Sequence, residues 1–70
     1  MEIIFTEHAK DRMKKRNITY DEIITAINYP DKTAKKEGEY YATKNIGRGI
    51  IEVVYEKEKY IKVITIYWIT

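Results

Sequence analysis

Seventy residues, 44% of them hydrophobic and 34% charged, read as one small globular domain spanning 1–70, without disordered character. Cysteine is absent and histidine occurs once, which argues against a disulfide framework or a structural zinc site, and no metal-ligand cluster is visible in the sequence. The net charge of +2 does not by itself indicate nucleic acid, and the apolar run Met1–Phe5 is too brief for a signal peptide or membrane span, so a cytoplasmic, membrane-free protein is expected.

The charge is unevenly placed. Residues 8–16 hold His8, Lys10, Arg12, Lys14, Lys15 and Arg16 against a single acid, Asp11, while Glu52, Glu56 and Glu58 gather late in the chain. Thr6 is an N-cap for a first helix, with Glu7 in the first turn, where an acid suits the dipole. Within that helix His8, Arg12 and Arg16 recur every four residues, which brings them onto neighbouring positions of one face. Lys15 borders the face, and Ala9 and Met13 form an apolar stripe beside it. Guanidinium groups grip phosphate oxygens in a fork and imidazole moves a proton near neutral pH, so the face suits a phosphodiester. It equally describes a solvated helix whose cations complement its C-terminal dipole.

A second helix begins at the capping box Thr19-Tyr20-Asp21-Glu22, with Ile18 and Ile23 as a hydrophobic staple. Ile23, Ile24 and Ile27 give it an apolar face, and Pro30 predicts its end near Asn28 or Tyr29. Strands follow. Lys32–Lys36 is a charged edge candidate, Glu37-Gly38 a turn, and Glu39–Ile46 the next strand. Gly47-Arg48-Gly49 is a hairpin loop, and Ile50–Glu56 places Ile51, Val53 and Tyr55 opposite Glu52 and Glu56. Lys57-Glu58-Lys59 turns the chain into a last strand, Tyr60–Ile69. There Ile61, Val63, Tyr67 and Ile69 alternate with Ile64, Ile66 and Trp68, so neither face reads as wet. Two short helices cover one face of a three- or four-stranded sheet, so the strand is either central and buried on both sides or covered by a second chain; a partner or a homodimer is the expectation, because so small a protein does not supply both layers.

The run Phe5-Thr6-Glu7-His8-Ala9, continued by Arg12-Met13, Arg16 and Ile18, precedes the capped helix, Pro30-Asp31, the Gly-Arg-Gly hairpin, Val53-Val54-Tyr55 and the closing Val63-Ile64-Thr65-Ile66-Tyr67. In this order the chain resembles the DUF4258 family, which is similar to the BrnT and RelE toxins. The resemblance implies an α+β fold in which two N-terminal helices pack on a three- to four-stranded antiparallel sheet, in a RelE- or barnase-like arrangement. It also implies a toxin of a type II toxin–antitoxin pair that cleaves RNA without a metal or other cofactor. RNA, on or off the ribosome, and a cognate antitoxin would be its partners.

Carried onto this chain, the resemblance points to His8, Arg12, Arg16 and Tyr67 as catalytic residues. It also points to Arg48 and Thr65 as RNA contacts; the residues themselves add Lys15, Tyr41 and Lys44 as candidate contacts, Lys44 being otherwise a solvated lysine. RNA brings its own nucleophile, the 2′-hydroxyl, so the protein must take its proton, neutralise the phosphoryl oxygens and protonate the leaving 5′-oxygen. His8 either serves as that acid or base or bonds a backbone carbonyl; Arg48 is either a phosphate ligand or a solvated loop tip. The tyrosines, Tyr41 and Tyr67 included, either stack on bases and donate protons or simply suit a half-buried strand. A non-catalytic nucleic-acid-binding module and a protein-interaction module of the same fold remain as alternatives.

Overall fold

The computed structural model describes residues 1–70. Its two helices end where their caps require. Thr6 accepts a hydrogen bond from the Ala9 amide at 3.0 Å and starts α1, Glu7–Arg16, while Asn17 closes it in the left-handed conformation at φ 55°. Thr19 and Glu22 form the expected reciprocal box at the start of α2, Tyr20–Asn28. Ile18 and Ile23 on either side of that cap are both buried.

The sheet differs from expectation in two ways. It has five strands, in the order β1-β5-β4-β3-β2: β1 is Ile3–Phe5, β2 Lys32–Lys36, β3 Glu39–Asn45, β4 Ile50–Lys57 and β5 Ile61–Trp68. And it is mixed, because β1 lies parallel to β5, pairing Ile3 with Ile61 and Phe5 with Val63. The short apolar N-terminal run, too brief to carry a periodic signal, is therefore a strand. The turn Glu37-Gly38 joins β2 to β3 with both residues at positive φ, 52° and 83°, as a two-residue hairpin requires.

Helix α1 packs on β5 and β1, and α2 on β3 and β4, all on one side of the sheet. Between the layers lies one core built from Ala9, Ile18, Ile23, Ala26 and Ile27 on the helical side and Ala42, Ile51, Val53, Val63 and Ile66 on the sheet. The opposite face has no helix over it. No helix is long and apolar enough to cross a membrane.

The reading of β5 as apolar on both faces is corrected by a β-bulge. Val54 and Tyr55 of β4 stand opposite Thr65 and Val63, leaving Ile64 as an extra residue that reverses the alternation. Ile61, Val63, Ile66 and Trp68 consequently all belong to the helix-covered side. Thr65 and Tyr67 take the open one. As far as Val63 the strand also lies between β1 and β4.

At the β3–β4 hairpin the backbone of Gly49 adopts φ 153°, and a Cβ there would lie 2.7 Å from Trp68 Cζ3 and 2.9 Å from the Thr70 carbonyl. Gly47, at φ 94°, faces open space. Gly49→Ala is expected to cost about 1–3 kcal/mol in urea unfolding, because it adds overpacking to backbone strain. Gly47→Ala should cost clearly less; equal losses would assign the effect to backbone conformation alone.

Candidate functional site

The structure distributes the sequence-derived residues over three places. His8, Arg12 and Arg16 line one side of α1, and Arg16 shows where that side looks: its Nη1 donates to the Ile66 carbonyl of β5 at 2.7 Å. Trp68 Nε1 returns a bond to the Arg16 carbonyl at 2.9 Å. Nearby, the Thr6 hydroxyl donates to the Ile64 carbonyl at 3.1 Å. Strand β1 pairs with β5 only as far as Val63, so these side chains hold the edge of β5 that no strand occupies. His8 is exposed at the start of the row. Arg12, with its side chain 32% exposed, stands 3.8 Å from Asp11, and Asp11 also draws Lys15 to 3.3 Å. Arg16 is thus tied to the fold, while His8 is exposed and Arg12 is partly exposed with only the 3.8 Å contact to Asp11.

Arg48 and Lys44 lie apart from that row. Arg48 donates through Nε and Nη2 to the two carboxylate oxygens of Glu22, each at 2.8 Å, and through Nη2 to the Asn17 carbonyl. Its guanidinium also sits 5.0 Å from the centre of the Trp68 ring. Each of these contacts competes with a phosphate for the same donors. Lys44 projects on the helix-covered side of β3, opposite Ile51, and reaches Asp31 at 3.4 Å. The Asp31 carboxylate is held below its usual range by the Asn45 amide first and by Lys44 second.

The third group occupies the open face. Across β5, β4, β3 and β2 the register aligns Tyr67, Glu52, Thr43 and Lys32 in one row, and Thr65, Val54, Tyr41 and Ala34 in the next. Glu52 joins its row together: Tyr67 donates its hydroxyl to Oε1 and Thr43 donates to Oε2 at 3.1 Å. The Glu52 bond, reinforced by burial, pushes the Tyr67 hydroxyl up to about 12, so it remains a protonated donor at neutral pH. Burial and the adjacent Glu39 likewise raise Tyr41. Val54 is only 4% exposed with no helix above it, screened by its neighbours in the sheet.

Glu52 was not among the residues singled out from sequence. Its signal was present in the alternation that set it opposite Ile51 and Val53, but an outward acid on a strand ordinarily means solvent. Only the register brings Tyr67 and Thr43 to it. No cluster of three or more His, Asp or Glu side chains is arranged to hold a metal ion.

The Arg48–Glu22 pair has a pH signature. Arg48 holds the Glu22 carboxylate down to about 2 from an ordinary 4.5, against the opposing effect of burial. A depressed carboxylate stabilises the fold above its unfolded pKa, and that contribution disappears as pH falls through the folded one. Stability should therefore drop between pH 4.5 and about 2, with Asp31 adding to the same trend. Glu22→Gln should flatten part of this slope in urea unfolding followed by Trp68 fluorescence; an unchanged slope would remove the pair from the acid response.

No curated protein and no solved structure matches the chain. One family model does, covering residues 5–68 and described as a domain of unknown function. That span includes both helices, strands β2 to β5 and all three groups of side chains, and the protein belongs to the DUF4258 family.

Proposed function

We propose that this protein is the toxin of a type II toxin–antitoxin pair, a metal-independent endoribonuclease acting in the cytoplasm. The observation that carries the reading is the side of α1 along the β5 edge. Arg16 clamps the helix to the Ile66 carbonyl, and the same side offers an exposed imidazole and a partly exposed guanidinium on a rigid element. The resemblance of the N-terminal motif to the BrnT and RelE toxins supports it. His8 would take the 2′-hydroxyl proton or protonate the leaving 5′-oxygen, and Arg12 would neutralise the phosphoryl oxygens, with Lys15 adding positive potential beside them. Arg16 would act by positioning. The products would end in a 2′,3′-cyclic phosphate and a 5′-hydroxyl. A small antitoxin would cover the basic row.

A second reading, a non-catalytic nucleic-acid-binding module, is favoured by one observation: Arg16 through Nη1 and Arg48 through Nε and Nη2 are already bonded inside the fold. Fewer cations then remain for transition-state charge than the sequence suggests.

Expression of the chain alone should arrest growth with loss of cellular RNA integrity, and coexpression of its antitoxin should relieve the arrest. Harmless accumulation of folded protein would count against the toxin. In single-turnover cleavage of a short RNA, His8→Ala should lose on the order of 10²–10⁴ in rate, the scale of one general acid or base, while RNA affinity falls much less. Chelator should leave the wild-type rate unchanged. Parallel losses of binding and cleavage in His8→Ala would favour the binding module, and a near wild-type rate would take histidine out of the mechanism.

A further inference from the structure

The open sheet face carries a depression that the proposed chemistry at α1 does not use. It encloses about 320 Å³ and is lined by Lys32, Ala34, Lys36, Tyr41, Thr43 and Glu52. Its origin lies in the register. Lys32, Ala34 and Lys36 alternate onto this face of β2, and the small Ala34 stands beside the large Tyr41, leaving room above itself. By register Glu52 lies on the β4 side of the depression, Tyr41 stands opposite Ala34, and the two lysines are on the edge strand.

The charges here are not spent on one another. Neither Lys32, Lys36 nor Glu52 belongs to any ion pair of the molecule. Glu52 instead takes one neutral donor on each oxygen, Tyr67 on Oε1 and Thr43 on Oε2. Two hydroxyl donors fix the plane of the carboxylate and leave acceptor capacity on both oxygens, since a carboxylate has about four lone-pair sites. Such a group is a rigid, two-pronged acceptor, suited to a ligand that presents two parallel N–H donors.

Among the four RNA bases only guanine does so. Its N1–H and N2–H lie side by side on the Watson–Crick edge, whereas adenine and cytosine set an acceptor beside their amino group and uracil flanks its single N–H with two carbonyls. A planar base also matches the Tyr41 phenol, and phosphate matches the ammonium groups on the edge strand. We propose that this depression binds a guanine base carrying a phosphate: Glu52 pairs with the base edge, Tyr41 stacks on the ring, and Lys32 and Lys36 hold the phosphate. The base comes either from a free nucleotide or from a guanosine within single-stranded RNA. The site does not depend on the chain being a nuclease, and its occupancy is measurable without cleavage.

The test is titration of the 70-residue protein with GMP, AMP, CMP and UMP, followed by calorimetry and by amide shifts in ¹H–¹⁵N spectra. GMP should bind best, with the largest shifts at Tyr41, Thr43 and Glu52 rather than along α1. Glu52→Gln, which keeps the shape but replaces one acceptor by a donor, should weaken GMP on the order of tenfold to a hundredfold and abolish the preference over AMP. Lys32→Ala and Lys36→Ala should weaken GMP but leave guanosine unchanged. A trinucleotide with a central guanosine that binds more tightly than GMP assigns the site to RNA; equal affinity assigns it to the free nucleotide. Equal binding of GMP and AMP by the wild type, or binding of neither, overturns the proposal, and this comparison holds even if Glu52→Gln unfolds. Because no mononucleotide is cleaved, failure here leaves the ribonuclease reading to its own test.

Discussion

A single extra residue in the last strand organises this molecule. Ile64 has no counterpart in β4, so the alternation of β5 is reversed halfway along its length. Before the bulge, Ile61 and Val63 face the helices; after it, Ile66 and Trp68 do. Without the reversal, Thr65 and Tyr67 would point into the core and Ile66 and Trp68 away from it. The bulge thus decides both the packing of α1 and the composition of the open face. Its carbonyl does not go unpaired, because Thr6, the N-cap of α1, donates to it. The irregular residue, the helix start and the unoccupied strand edge are therefore joined through one hydroxyl.

The second constraint is how a chain of this size fastens two short helices to a sheet. Helices of nine or ten residues are marginal on their own and rely on tertiary contacts. Arg16 ties the end of α1 to β5, and Arg48 ties the hairpin to the start of α2 through the same Glu22 that completes the capping box. Trp68 serves both, bonding the Arg16 carbonyl and lying against the Arg48 guanidinium. Exposed ion pairs contribute little individually, about 0–1 kcal/mol, but the Arg48–Glu22 pair is bidentate and shares its acceptor with a helix cap.

Local signals were readable and long-range ones were not. Both N-caps, the end of α2 beside Pro30, the edge strand with its three lysines and the three hairpin turns follow from residues within a few positions of one another. Three features escaped: the parallel strand Ile3–Phe5, the bulge at Ile64 and the partners of the arginines. The first and the last are fixed by residues 26 to 58 positions away, such as Ile3 with Ile61, Arg48 with Glu22 and Arg16 with Ile66, and the bulge by the register of β5 against β4. The α1 row was legible as a face, since periodicity places residues on faces. What periodicity cannot give is the engagement of its members, and that separates Arg16 from His8 and Arg12.

The two sides of the sheet consequently answer to different demands. On the helix side, polar groups are consumed in closing the fold: Arg16, Arg48 and Trp68 find acceptors, and Lys44 finds Asp31. On the open side, the row from Tyr67 to Lys32 contains a carboxylate held by neutral donors and a lysine paired with no acid. Lys32 and Glu52 stand in the same row without pairing, and the small Ala34 leaves space beside Tyr41. Polar groups kept rigid but incompletely used are what a binding surface requires, because the order is established before the ligand arrives. The strand alternation lets this face vary without disturbing the core one residue away, since Glu52 is flanked by Ile51 and Val53, both fully buried on the other side. The same separation lets a basic helix side and a mixed-charge sheet face coexist within so short a chain.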